Sequence, residues 1–508
     1  MRLTQARVQT SAIALAVMAG FSGSPSFAQD ADTGVTIVLR EEPTSLDGCN
    51  ASRSVNGRVT KHNVVEGLTM ISAADGSVNP ALATSWEQLD DVTWRFTLRE
   101  GVTFHDGSAF NAEAAARSIE RLIGSDLDCH ARGEFFAQVT VTPTAIDDLT
   151  LELVSSVPLP ILPTYMAQAM IVSPNTPMDA LAQTAVGTGP YMFETYEPGV
   201  EIVLARNDDW WGEQPAAERA RFVWRAESSV GAAMVQIGEA DLAPYIAPQD
   251  ATNPETDLTY PTAETVFLRI DTLLPPFDDL RMREALNLAV DREGLQGTIF
   301  PAESIQAVAI SPPFIPGYPG DVAPYAYDPD QARALIDEAR AAGVPVDTEI
   351  QYFVRNGHFT NASEAAEAIA AMWADVGLNI NLRFMEAAEW SEYNFAPLKA
   401  DRGANVLQAR TGNPYGDASF NLTNKIVCDS SQSALCDAEI DALVEQATIA
   451  GGEDRLALWS EIYHRLYEDD VFVPLFHLVS HVRIGERIDF TPDIFLTDAV
   501  DLTAITFK

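Results

Sequence analysis

Basic side chains are scarce in this 508-residue chain: 32 lysines and arginines stand against 73 aspartates and glutamates, a formal net charge of −41. Lysine is almost absent, with only Lys61, Lys399, Lys425 and Lys508. A field of that sign repels phosphates, so nucleic acid and anionic membrane are poor partners. Cysteine is limited to four residues, and none has the close CxxC spacing of a metal site. After the N-terminus no apolar run approaches the ~20 residues that span a bilayer. HExxH, a GxSxG elbow, a Walker loop and a dinucleotide fingerprint are all missing. His477 and His481 are four apart but follow the extended apolar run 471–476, which reads as a strand. His62, His105, His130, His358 and His464 are scattered without ligand spacing. Catalysis and a resident metal are therefore not expected, and no cofactor is implied.

What is present is apolar mass: 47% of residues are hydrophobic, enough to bury large cores. The length suggests about two to four domains. Residues 1–28 read as a signal peptide. Arg2 and Arg7 make the basic region, 11–21 (SAIALAVMAGF) the apolar one, and Ser26-Phe27-Ala28 puts small residues at −3 and −1 before Gln29. No cysteine sits at the cut, which argues against a lipid anchor. The mature protein is expected in the periplasm, soluble after cleavage. In that oxidising compartment disulfides are the default for Cys49, Cys129, Cys428 and Cys436. Cys428 and Cys436 close a short local loop and are the favoured pair, which leaves Cys49 for Cys129. Four cysteines still allow three connectivities.

Residues 35–39 (VTIVL) read as a buried strand. Residues 93–99 alternate, with Trp94, Phe96 and Leu98 on one face and Thr93, Arg95 and Thr97 on the other. Asp106-Gly107 is a turn. Asn111 caps a helix carrying Ala115, Ile119 and Leu122 on one face, with Gly124 as its stop. Further strands are expected at 149–154, 201–205 and 265–270. Asp328-Pro329 opens a helix with Ala332, Leu335, Ile336 and Ala339 inward and Gly343 at its end. A helix at 362–376 precedes a strand at 379–384, so this half alternates as α/β.

Four segments, in order, then resemble one family. They are 79–122 (NPALATSWEQLDDVTWRFTLREGVTFHDGSAFNAEAAARSIERL), 187–212 (GTGPYMFETYEPGVEIVLARNDDWWG), 281–295 (RMREALNLAVDREGL) and 327–340. The chain resembles the bacterial extracellular solute-binding proteins of family 5, the peptide- and nickel-binding proteins of ABC importers. Physically these markers describe scaffold: core aromatics, a glycine turn, a tight entry into a strand, and an amphipathic helix with Met282, Ala285, Leu286 and Ala289 inward.

The resemblance implies an α/β, two-lobed periplasmic-binding-protein architecture of the type II, clamp-like kind, with an extra subdomain in the first lobe. The first lobe corresponds to 29–265 (extra subdomain 71–185), completed by 481–508. The second corresponds to 266–480. Such a protein closes over its ligand and presents the closed form to a permease.

The family's chamber segment corresponds to 407–420 (LQARTGNPYGDASF). Asn413 stands where peptide-binding members place an aspartate for the ligand ammonium. Gly412, Pro414 and Tyr415 match the nickel-binding branch, but Thr411 replaces its tryptophan and Ala418 its histidine. Residues 166–174 lack that branch's arginine. Arg410 is the principal candidate, because guanidinium matches carboxylate bidentately; Arg53 is a second. For each arginine the alternative is a salt bridge in a very acidic protein. Trp390 and Tyr393 fall where relatives line the pocket, with packing as their alternative. Asp417 is a turn residue or a substitute cation partner.

The expected function is capture of a peptide-like or amino-acid-derived carboxylate for import through an ABC permease of the inner membrane, by a monomer. The alternatives are a metal-chelate carrier and, in other classes, a secreted hydrolase or a receptor-docking sensor.

Overall fold

Stretches rich in β-branched and aromatic residues form two long strands, Asp257–Ile270 and Phe472–Ile484, paired antiparallel along most of their length. The computed structural model describes residues 33–508 except Gln138, so the signal-peptide reading of 1–28 lies outside the described residues. The two long strands stand in the middle of an eleven-stranded sheet. On one side Phe472–Ile484 is followed by Leu242–Ile246, Gly34–Leu39, Arg219–Trp224, Glu201–Arg206 and Tyr191–Glu197. On the other, Asp257–Ile270 is followed by Asn405–Gly412, Ile350–Arg355 and Ile380–Met385. The flanks contain parallel pairs: Gly34–Leu39 with Arg219–Trp224 and Leu242–Ile246, and Ile350–Arg355 with Ile380–Met385 and Asn405–Gly412.

The long pair passes from one core to another. Tyr260, Val482 and Ile484 belong to a core built from residues between 35 and 260 and between 482 and 505. Val266, Leu268, Ile270, Val473, Leu475 and Phe476 belong to a core confined to 266–476. We call these the first and second halves. Between them the ladder loses register, from Pro261 to Thr265 and again from Val266 to Phe267. Pro261 has no N–H to donate, which suits such an interruption. A third core, drawn from 68–171, is built on the sheet Ala83–Gln88, Thr93–Leu98, Thr150–Ser155, Val141–Asp147. Among the described residues no helix is long and apolar enough to cross a membrane.

Local chemistry explains the elements. Trp94, Phe96 and Leu98 are buried in alternation, and Asn111 accepts from the Ala114 N–H at 2.9 Å to start the helix Ala112–Gly124. Asp328 accepts from the Gln331 N–H at 2.9 Å and starts Pro329–Ala341, whose buried stripe is Ala332, Leu335, Ile336 and Ala339. Gly187 is sterically required, since a Cβ there would lie 2.0 Å from the Val64 carbonyl oxygen. One expectation is corrected: 281–295 is not a single helix. It divides into Leu280–Leu288 and Arg292–Leu295, because the Asp291 carboxylate takes the Gly294 N–H at 2.8 Å and begins a new helical turn. Met282, Ala285, Leu286 and Ala289 are nonetheless fully buried.

Both disulfides are formed, Cys49–Cys129 and Cys428–Cys436, with Cα separations of 5.0 and 4.4 Å. Beside the first, Arg121 grips Asp47 bidentately at 2.9 and 2.7 Å, with exposures of 2% and 0%. Asp47 also accepts the Cys49 and Ala182 N–H groups. Replacing Arg121 by alanine strands this carboxylate, so Arg121→Ala should cost about 3–5 kcal/mol in urea unfolding.

Glu66 makes a second prediction. It is buried, receives bonds from Thr188 Oγ1 and the Nε1 atoms of Trp210 and Trp211, and burial lifts its carboxyl to about 7 from 4.5. The folded state holds the proton more tightly than the unfolded one. Its contribution to stability should therefore fall as pH rises from about 4.5 to about 7, by about 3 kcal/mol. Denaturation midpoints measured across pH 4–8 should show Glu66→Gln losing that part of the wild-type slope, while the part due to Asp470, also raised to about 7, remains.

Candidate functional site

In open sheets with parallel strands, ligands sit beyond the carboxyl ends of those strands, where the topology switches. Here the segments at those ends converge. Arg40 and Glu41 follow Gly34–Leu39, Ala226 follows Arg219–Trp224, and Tyr245 lies near the end of Leu242–Ile246. From the second half, Gly357, Phe359 and Thr360 follow Ile350–Arg355, and Gly412, Pro414 and Tyr415 close Asn405–Gly412. Together they wall a cavity of about 990 Å³. Its floor is the interrupted part of the long strands, with Thr262, Ala263 and Glu264 from one and Leu478, Val479 and Ser480 from the other. Ser54, Arg58, Glu134, Thr497 and Asp498 complete the first-half wall, and Phe420 the second.

The charges on this wall differ in how they are engaged. Arg410 lines it and pairs with Glu264 at 2.8 Å, both about one-third exposed (37% and 33%). A pair so exposed contributes little to stability, and it occupies only Nη1 of the guanidinium among the described residues. Arg58 donates Nε to the Thr497 carbonyl oxygen. Arg40 is exposed and stacks over the Tyr245 ring at 4.7 Å, with no carboxylate partner among the described residues. Behind the wall, His358 is buried against Trp390, with ring centroids 5.0 Å apart. Burial, then the charges of Arg410 and Arg355, push it down to about 4, so it is neutral at pH 7.

Other residues singled out in the sequence lie elsewhere. Asn413 is fully buried and donates from Nδ2 to the Asp417 carbonyl oxygen (2.7 Å) and Asn421 Oδ1 (3.1 Å). Asp417 is no cation partner for a ligand, because Arg455 holds it bidentately at 2.7 and 2.8 Å. Thr411 is buried on the opposite face of its strand from Arg410 and Gly412. Trp390 donates Nε1 to the Gln408 carbonyl oxygen, and Tyr393 packs on Phe353 at 4.3 Å; neither lines the cavity. Arg53 is exposed at the start of the helix Ser54–Thr60 and does not line it either. Tyr415 does, and with Phe420 it packs against Phe135 of the third core at 4.7 and 5.5 Å. Aromatic contact thus joins the second half to the third core at the cavity edge.

Arg40, Glu41, Arg58, Tyr245, Glu264 and Asp498 were missed by sequence reasoning. The first two had a usable signal, because they directly follow a buried strand that proves parallel. Asp498 had none, since it reaches the cavity from the chain's end.

A cavity walled from two halves around paired crossing strands defines a protein built to enclose a ligand rather than to bind at a surface. The model of the bacterial extracellular solute-binding proteins, family 5, matches residues 77–431, and the chain belongs to that family. It is 26% identical over 483 residues to the probable di/tripeptide-binding protein 5 of Pseudomonas aeruginosa, covering 87% of this chain and 88% of the relative. It is 28% identical over 458 residues to the nickel-binding periplasmic protein of Escherichia coli, covering 82% and 85%. The fold matches that of HbpA2 from Haemophilus parasuis with a TM-score of 0.83 at 20% identity, over 94% of this chain and 100% of the other.

The geometry of Asn413 leads to a stability prediction. In Asn413→Asp a carboxylate oxygen would face the Asp417 carbonyl oxygen and Asn421 Oδ1, acceptors where the amide now donates. The variant should lose about 3 kcal/mol in chemical denaturation.

Proposed function

We propose that this protein is the periplasmic solute-capturing component of an ABC importer and not an enzyme. It takes a peptide-like or amino-acid-derived solute carrying a carboxylate and presents the closed form to an inner-membrane permease. The carrying observation is the cavity of about 990 Å³ with lining residues from both halves. That volume suits a short peptide or a ligand of similar size. Ligand contacts on both sides favour a closed state over an open one. Lobe boundaries at 265/266 and 480/481 are supported by the change of core along the two long strands. The binding role is supported by the family.

The ligand carboxylate is assigned to Arg40 and Arg410. Arg40 has no carboxylate partner among the described residues. Arg410 is oriented by Glu264 and retains Nε and Nη2 as donors. Native mass spectrometry of the protein purified without denaturation should reveal a bound carboxylate-bearing solute. Small-angle scattering should show contraction when that solute is restored to stripped protein. Arg410→Ala and Arg40→Ala should each weaken its binding at least tenfold in titration calorimetry, while the unliganded melting temperature stays within about 2 °C. Unchanged affinity in both variants would sink the assignment.

A further inference from the structure

We propose that Phe135, Tyr165, Tyr415 and Phe420 form an aromatic latch between the third core and the second half, anchored by the Cys49–Cys129 disulfide, which lowers the cost of closing the empty protein. The latch acts without ligand, so it stands apart from the carboxylate reading above.

These rings make a second bridge across the molecule. The long strands join the halves along the cavity floor, whereas the rings meet at the cavity edge, where Tyr415 and Phe420 are lining residues. Phe135 meets the Tyr415 and Phe420 rings edge-on at 4.7 and 5.5 Å, and Tyr165 lies 5.4 Å from Phe420. Phe135 belongs to the third core, and Tyr165, Tyr415 and Phe420 pack against that core. The backbone comes close at the same place. A Cβ on Gly416 would lie 2.9 Å from the Gly76 carbonyl oxygen and 3.0 Å from Ile71 Cγ2. Edge-to-face aromatic pairs are favourable beyond the area they bury. No ligand takes part in them, so they bias the empty protein toward the closed arrangement.

Both sides of the latch are mounted on fixed structure. On one side Cys129 precedes the helix His130–Phe135 and is bonded to Cys49, whose neighbours Leu46 and Ala51 belong to the first-half core. Asn50 Oδ1 accepts the His130 N–H at 3.0 Å, and Ser52 Oγ meets His130 Nδ1 at 3.0 Å. Asp47, gripped by Arg121, accepts the Cys49 N–H. The disulfide therefore ties the helix that carries Phe135 to the first half. On the other side Asn413 Oδ1 accepts the Tyr415 N–H at 3.2 Å, and Asp417 accepts the Ser419 N–H at 2.9 Å while Arg455 holds it. Asn413 and Asp417 thus shape the loop that presents the two rings. Surfaces set in advance lose little freedom when they meet. A latch of this kind reduces the free energy that a ligand must supply for closure.

The test needs no ligand. The full mature chain is freed of bound solute by dialysis from denaturant and refolded with its disulfides formed. Small-angle scattering is then recorded for wild type, for Tyr415→Ala with Phe420→Ala, and for Cys49→Ala with Cys129→Ala. Both variants are expected to keep the wild-type far-ultraviolet circular dichroism and to show a radius of gyration larger by about 1 Å, as a hinge opening in a chain of this size would give. An unchanged radius in either variant overturns the latch and leaves the solute-capturing reading standing. If the cysteine variant does not fold, the Cys428→Ala, Cys436→Ala protein is compared before and after treatment with dithiothreitol, which can then reduce only Cys49–Cys129. Faster amide hydrogen exchange over 130–136 and 413–420 after reduction is expected there, and unchanged exchange overturns the proposal.

Discussion

The organisation of this molecule depends on two strands that share one ladder but serve two cores. An antiparallel pair is stiff where its hydrogen bonds are regular, and Asp257–Ile270 and Phe472–Ile484 are regular at both ends. They cannot be regular in the middle, where the chain passes from one hydrophobic environment to the other. The register is lost there, between Pro261 and Phe267. Residues 262–264 and 478–480 line the cavity there, with Leu478 still packed against the second-half core. The same break supplies the connection between the halves and the floor of the site. A shorter pair would leave the halves unconnected, and a fully regular one would fill the gap with sheet.

Electrostatics then gives the cavity its character. In a chain of net charge −41 carboxylates are plentiful partners for arginine. Three buried arginines pair with carboxylates, Arg121 with Asp47, Arg455 with Asp417 and Arg483 with Asp257, while Arg269 and Arg292 are held by carbonyl and amide oxygens. Arg40 has no carboxylate partner among the described residues and lies over the Tyr245 ring. Asp498 is a carboxylate that feels the charges of Lys61 and Arg58 but pairs with neither among the described residues. Arg40 and Asp498 both line the cavity. Unsatisfied charge of each sign is tolerable there because water can enter when the site is empty, and a ligand can replace that water.

Periodicity and capping made the scaffold legible. Asn111, Asp328 and the alternation through Trp94 to Leu98 could be read because each depends on neighbours within a few residues. The helix expected over 281–295 was over-extended because the residues facing the core carry on past a local competitor, Asp291, whose side chain takes a backbone N–H. The chamber segment was only partly legible. Strand alternation separates Arg410 from Thr411, but nothing local shows that Asn413 turns inward to Asn421 or that Arg455, 38 residues away, claims Asp417. Trp390 and Tyr393 illustrate the same gap: an aromatic on a helix packs or lines according to what lies opposite, and that is a non-local fact. Asp498 is brought to the wall by the final passage of the chain, far from any segment that pattern alone would nominate.

These placements bear on how enclosure is driven. A ligand contact with one half stabilises open and closed forms alike and shifts no population. Only groups that meet the ligand from opposite sides make closure favourable. Arg40, Arg58 and Asp498 stand on the first half, and Arg410 and Tyr415 on the second, with the interrupted strands between them. A carboxylate held by Arg40 and Arg410 together would meet that condition, because the two guanidiniums come from different halves, whereas a carboxylate held by either alone would bind without favouring closure.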